Sequence, residues 1–210
     1  NVNIDLKLNE MPFKILSQEG IDKITRNDEE ILSLVIQVLP GTKSKTYSIP
    51  ATITYEKDNI ISKKETNFIV VINDRPVLDV TAKSDLLIKG EKSRVTVKII
   101  NKGLSDVKFL NVEISPSGFI LLSENTQYIG ELPSDDFDSV EFEISLNQNS
   151  PSIIKPNIII TYEDIAGNKY TDTKTIELKS YDRKEAESLD LVKRDNTLLI
   201  IAVIVILVIL

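Results

Sequence analysis

The sequence contains no cysteine and no histidine in 210 residues. The first absence removes disulfides, thiolate catalysis and cysteine-ligated zinc together. It leaves the redox compartment open, because a chain without thiols tolerates any. The second removes the commonest general base and the commonest transition-metal ligand. Ser-His-Asp and Cys-His constellations are therefore impossible within the chain. Tryptophan is absent and aromatics total 6%, too few for the rows of exposed rings expected of a sugar-binding face. There is no glycine-rich phosphate loop and no basic-aromatic patch, and the net charge of −7 argues against a nucleic-acid surface. No Asn-x-Ser/Thr sequon occurs, so N-glycosylation is not expected. An enzyme, a cofactor and a small-molecule ligand are accordingly not expected.

What is present is a globular balance, 41% hydrophobic and 27% charged, and a length that suits two domains of roughly 100 residues. The chain repeats itself. Pro50–Glu56 (PATITYE) answers to Pro156–Glu163 (PNIIITYE), with Tyr55 and Tyr162 spaced 107 apart. Leu34–Val38 matches Phe142–Leu146 at 108, and Leu6-Lys7-Leu8 with Phe13 matches Val112-Glu113-Ile114 with Phe119 at 106. A near-constant offset over three segments implies two copies of one unit. The second copy has two strands, Val77–Thr81 and Arg94–Asn101, ahead of its Val112 strand, and the first has no room for their counterparts. Together with a start at Asn1 rather than Met, this leads us to expect an N-terminally incomplete first unit in a segment of a longer protein.

Strict alternation marks the strands: Val95, Val97 and Ile99 against Thr96 and Lys98; Val140, Phe142, Ile144 and Leu146 against Glu141, Glu143 and Ser145. Ile158, Ile160 and Tyr162 share one face of the next strand, and Lys169–Leu178 returns through a turn at Asp164–Asn168. Turn residues punctuate the rest at Lys102-Gly103, Pro116-Ser117-Gly118 and Pro133-Ser134-Asp135. Short alternating strands with such turns predict antiparallel β-sandwiches.

From Leu198 to Leu210 all 13 residues are Leu, Ile, Val or Ala. That run is too long for a buried strand and has no polar face, but a membrane span takes about 20 residues. We expect a truncated transmembrane helix at 197–210, continuing past Leu210, after a polar stalk at 180–196. The expected fold class is thus all-β: an Ig-like sandwich at 1–74, a complete one at 76–179, the stalk, and the start of the anchor.

Four local clusters are candidate sites. Asp135, Asp136 and Asp138 in one turn are a candidate calcium site, although the spacing is not that of an EF-hand and a solvated acidic turn is the plainer reading. Tyr55 and Tyr162 recur, which favours corner tyrosines with buried rings and hydroxyls bonded to nearby backbone over ligand contacts. Glu163 and Asp164 are adjacent in a strand and point to opposite faces, which argues against a glycosidase pair. Lys57, Lys63, Lys64 and Glu65 read as a solvated, charged hairpin.

The series Asn101-Lys102-Gly103, Pro116-Ser117-Gly118-Phe119, Ile129-Gly130-Glu131-Leu132, Ile-Thr-Tyr-Glu-Asp at 160–164 and Gly167-Asn168 resembles the archaeal and bacterial S-layer-like domains of the CARDB type and the related NPCBM-associated Ig-like domains. It covers residues 76–179 well and 1–74 in part, and Leu132-Pro133-Ser134 stands where that group usually has a glycine. The resemblance implies extracytoplasmic spacers, adhesion modules or envelope-complex parts, and it carries over no functional residues. It leads us to expect a single-pass cell-membrane protein with its β domains on the extracytoplasmic side, held in lipid through residues 197–210 and contacting other envelope proteins. A transporter or exporter accessory subunit and a carbohydrate-binding module of a larger envelope protein are the alternatives.

Overall fold

A computed structural model describes residues 2–25 and 28–193 of the chain. The first unit holds β1 (Val2–Leu6), β2 (Phe13–Gln18), β3 (Leu34–Val38), β4 (Lys45–Lys57) and β5 (Ile60–Ile72). β1, β4 and β5 form one antiparallel sheet, and β2 and β3 form a two-stranded ribbon. β4 and β5 are 13 residues each, joined by a two-residue turn in which Asp58 and Asn59 both have positive φ. Asp and Asn tolerate that conformation, which matches the twist of a tight hairpin. Pro50, expected to open a strand, lies inside β4. Its carbonyl accepts from Lys7 N–H at 2.8 Å, so its nitrogen faces the same way, beyond the last paired residue of β1, and no ladder bond to β5 is lost.

The second unit contains β6 (Leu78–Ser84), β7 (Leu87–Ile88), β8 (Lys92–Asn101), β9 (Val107–Ser115), β10 (Ile120–Leu121), β11 (Thr126–Leu132), β12 (Phe137–Ser145), β13 (Ile153–Ile154), β14 (Asn157–Glu163), β15 (Lys169–Thr175) and β16 (Leu178–Tyr181). One sheet runs β10-β12-β8-β6 and the other β11-β9-β14-β15. This is an antiparallel, immunoglobulin-like sandwich. The predicted alternation holds in β8, where Val95, Val97 and Ile99 are buried, and in β12, where Phe142 and Ile144 are buried and Val140 is half-buried. Twenty buried side chains form its core, centred on Val97, Ile99, Val112, Ile114, Phe142, Ile144 and Ile158.

The unit runs on past the expected boundary at residue 179. β16 leaves its antiparallel neighbour β13 and also pairs in parallel with β7, through Ser180↔Leu87 and Tyr181↔Ile88. It leads into a six-residue helix, α1 (Arg183–Ser188), whose Ala186 is fully buried. The first part of the expected stalk is thus docked on the sandwich, because a small apolar residue and a paired strand edge both need cover. No helix among the described residues is long and apolar enough to cross a membrane, and the expected anchor lies outside those residues.

The two copies correspond, but not in the register expected for the first strand. Ile53 pairs with Ile4, and Ile160, its counterpart 107 residues on, pairs with Val112. Leu6 therefore matches Ile114 rather than Val112, and two extra residues lie between it and Phe13. The copies also differ in depth of core. Only Leu6, Phe13, Tyr47, Ile49 and Ala51 form the buried cluster of the first unit. Phe68 lies opposite Ile49 in the β4–β5 ladder and is 41% exposed, whereas Ile176, in the matching register, is 8% exposed. In the second unit β8 and β6 extend the sheet beside β12; in the first, no described strand pairs with the edge of β3 away from β2. Local opening follows buried contact. In hydrogen exchange on the 210-residue chain, amides of β2 and β3 are expected to show protection about 100-fold or more below those of β8, β12 and β14. Equal protection would mean that the first unit is as well packed as the second.

Candidate functional site: the joint between the units

Strand pairing puts three loops at one end of the second sandwich: Asn101–Asp106 after β8, Pro133–Asp136 after β11, and Asp164–Asn168 between β14 and β15. Two of them, Asn101-Lys102-Gly103 and Gly167-Asn168 with Asp164, belong to the series that carried the sequence resemblance, whereas Pro116–Phe119 of that series lies at the other end. The first and third of these loops meet the first unit, and the second braces the first loop.

Asn101 is fully buried. Its side-chain amide donates to the Ser105 and Leu132 carbonyls at 2.8 and 3.1 Å, and its Oδ1 accepts from Gly103 N–H at 3.1 Å. Ser134 completes the clasp, its hydroxyl donating to the Gly103 carbonyl at 2.8 Å and its N–H donating to Asp106 Oδ1 at 2.9 Å. A buried amide needs such satisfaction, since each unpaired group costs about 1–3 kcal/mol. Gly103 is glycine because a Cβ there would lie 2.7 Å from the backbone nitrogen of Val77 and 3.3 Å from Pro76 Cα. The segment leaving the first unit passes directly over it, and Lys102 N–H donates to the Val77 carbonyl at 2.8 Å.

Asp164 is the second node, 1% exposed. Oδ1 accepts from the Ala166 and Asn168 N–H groups, both at 2.9 Å, which shapes the hairpin loop. Oδ2 accepts from the Asn168 amide at 2.8 Å, the Tyr170 hydroxyl at 3.0 Å and the Asn73 amide at 3.2 Å. Burial by itself pushes this carboxyl up, but the donors from Asn168, Asn73 and Tyr170 outweigh it and hold the pKa at about 2. A group expected only as one half of an improbable catalytic pair is instead a structural anion. Its neighbour Glu163 lies 3.6 Å from Lys169.

Beside it, Tyr162 is buried and stacks on Tyr170 with ring centroids 5.3 Å apart. The Tyr162 hydroxyl donates to Asp172 Oδ2 at 2.8 Å, and burial together with that carboxylate pushes its pKa up to about 12. The corner reading is corrected here: the acceptor is a carboxylate, not backbone. Tyr55 departs further, at 39% exposed, because the first unit's hairpin lacks the Asp164 loop and has Ser62 opposite Tyr55 where Tyr170 stands opposite Tyr162.

Three residues of the connecting segment and one loop serine bring the first unit to this surface. Asn73 reaches Asp164. Arg75 pairs with Asp172 at 3.1 Å and lies 5.0 Å over the Tyr170 ring. Asp74 N–H donates to Ser44 Oγ at 2.9 Å, and Ser44 N–H donates to the Leu104 carbonyl at 2.8 Å. Contacts thus reach the second unit from two separated segments of the first, which fixes an angle as well as a distance.

The calcium candidates do not converge. Asp135, Asp136 and Asp138 are all exposed, and Asp136 and Asp138 each accept from the following N–H, of Phe137 at 2.8 Å and Ser139 at 2.6 Å. Among the described residues no group of three or more carboxylates is placed to hold a metal ion. Lys57, Lys63, Lys64 and Glu65 are exposed on the first hairpin, with Glu65 3.4 Å from Lys7. Sequence reading missed the roles of Asn73, Arg75 and Asp172; a polar Asn-Asp-Arg run beside Pro76 was the signal available.

No protein-family profile matches the chain. Among solved structures, similarity is found to an ASH/PapD-like domain of human CEP192, at 14% identity and a TM-score of 0.30, covering 49% of this chain and 85% of that one. Similarity is also found to the collagen adhesin of S. aureus, at 12% identity and a TM-score of 0.24, covering 86% and 82%. In sequence, the chain is similar to an uncharacterized protein of Methanocaldococcus jannaschii, 28% identical over 169 residues, which are 78% of this chain and 36% of that protein.

Proposed function

We propose that this chain is a structural spacer of the cell envelope: tandem Ig-like units held at a set angle outside the membrane and anchored by the apolar run at Leu198–Leu210. The observation that carries this reading is the joint. Domains in one chain move relative to each other by default unless something holds them, and here Asn73 links the first unit to the buried Asp164, while Arg75 pairs with Asp172 at the surface and Ser44 N–H donates to the Leu104 carbonyl. Stiffness between units is what a spacer needs and what a flexible tether lacks. The absence of histidine and cysteine supports the same reading, as does the 13-residue apolar run.

The cysteine-free sequence makes the test direct. Spin labels at Lys63→Cys and Glu141→Cys, both exposed, are expected to give one narrow distance distribution. Adding Asn73→Ala and Arg75→Ala is expected to about double its width. A broad distribution in the unsubstituted chain would remove the basis for a rigid spacer. Cross-linking mass spectrometry on native membranes then addresses partners: links to surface-layer protein or to other copies support the envelope role, and links to a transporter replace it with an accessory subunit.

A further inference from the structure

The end of the second unit opposite the joint is built from the Ile88–Glu91 turn, the Pro116–Phe119 turn, the Leu146–Ile154 segment and α1. These pieces interlock. Gly90 N–H donates to the Leu146 carbonyl and Lys89 N–H to Tyr181, while a Cβ on Gly118 would lie 3.0–3.1 Å from Ile154 and Pro151. Leu189 and Leu191 are tied back to α1, their N–H groups donating to the Glu185 and Ala186 carbonyls at 3.1 and 2.9 Å. Both leucines are nonetheless about half exposed, at 52% and 46%, as are Ile153 and Ile120 at 50% each.

Chain length then constrains this end. Between Lys193 and the apolar run stand only Arg194, Asp195, Asn196 and Thr197. Five peptide steps reach at most about 17 Å even fully extended. If Leu198–Leu210 is the anchor, as proposed above, the pole cannot stand far from the bilayer surface. Interfacial apolar side chains sit about 5–10 Å into the boundary between headgroups and acyl chains.

We infer that this pole of the second sandwich seats on the lipid surface through Leu189, Leu191, Ile153 and Ile120, so that the unit is set directly on the membrane rather than carried on a free stalk. The inference rests on the anchor reading. Its chemistry is apolar at the contact itself: several charges at this end are paired with one another, Lys89 with Asp182, Arg183 with Glu91 and Glu187, Lys155 with Glu177, while Lys92, Lys179, Lys184 and Lys193 flank the contact outside any ion pair among the described residues. Seating is therefore expected on neutral lipid, with anionic lipid strengthening it through those lysines but not required for it.

Single cysteines at Leu189, Ile153, Asp135 and Val203, carrying a bimane label on the full chain in phosphatidylcholine vesicles, separate the possibilities. Acyl-chain-brominated lipid is expected to quench Leu189→Cys and Ile153→Cys about twofold relative to the distal Asp135→Cys already in pure phosphatidylcholine. Adding Leu191→Glu is expected to reduce the quenching at position 153. If Val203→Cys is quenched while positions 189 and 153 behave like 135, the anchor stands and the seating is overturned. If Val203→Cys is itself unquenched, the anchor reading fails and the seating with it. Quenching that needs phosphatidylserine overturns the apolar contact.

Discussion

Replacing Asp164 with alanine is expected to destabilise the second unit by about 3 kcal/mol and to lower its melting temperature by on the order of 10 °C. The residue itself buries no apolar surface of note. The cost comes from what it leaves behind: two backbone N–H groups, of Ala166 and Asn168, and the side-chain donors of Asn168, Tyr170 and Asn73, all directed at a carboxylate that is gone. Unmade hydrogen bonds at a site 1% exposed are not recovered from water. Asp164→Asn keeps the shape but turns an amide toward some of these donors, so an intermediate loss is expected. The same residue sets a pH dependence. Its folded pKa, about 2, lies below the ordinary aspartate value of 3.8. A depressed carboxyl stabilises the fold above the unfolded value, and that contribution is lost as pH falls through the folded one. Denaturant unfolding of the unsubstituted chain should therefore weaken between about pH 4 and pH 2, and Asp164→Asn should flatten that part of the curve. An alanine variant that melts with the parent protein would show that the loop is held by something other than this anion.

The second large effect is expected at Gly103. A methyl group there would meet the Val77 backbone nitrogen at 2.7 Å. Backbone cannot rotate out of the way as a side-chain tip can, so either the Asn101–Ser105 loop or the Pro76–Val77 segment must shift. Overpacking of this kind costs about 1–3 kcal/mol. The consequence specific to this position is loss of the fixed angle between units, since Pro76–Val77 is the only covalent path between them. Gly103→Ala is thus expected to broaden the inter-unit distance distribution as well as lower stability. Gly167→Ala gives the contrast: it has positive φ but open space around its Cβ position, so strain in its own loop is expected with little effect on the joint. A Gly103→Ala protein with an unchanged distance distribution would mean that the close approach is not what holds the units.

Much of the architecture was legible from local pattern. Alternation in β8, β12 and β14 settled which residues face inward, because side chains in a strand take opposite faces in turn and one face must be buried. The repeat showed that two units share one plan. It did not settle their alignment at the first strand, because Leu6 and Leu8 satisfy a period of two equally well and only pairing with Ala51 selects Leu6.

The joint was not legible. Asn101, Gly103, Ser134, Asp164 and Asn168 are the residues any turn would use, and composition alone gives turns no destination. Whether an aspartate is a solvated loop carboxylate or a buried anion with five donors depends on what the chain brings to it from other strands. Here that includes Asn73, 91 positions away. Sequence by itself determined the strands, their inward faces and the exclusion of histidine and cysteine chemistry, because those follow from residue identity and short-range period. Only the tertiary structure decided which turn residues meet, that Tyr162 is buried while Tyr55 is not, and that three ordinary loops form one joint, because burial and hydrogen-bond partnership belong to pairs of distant residues rather than to any residue alone.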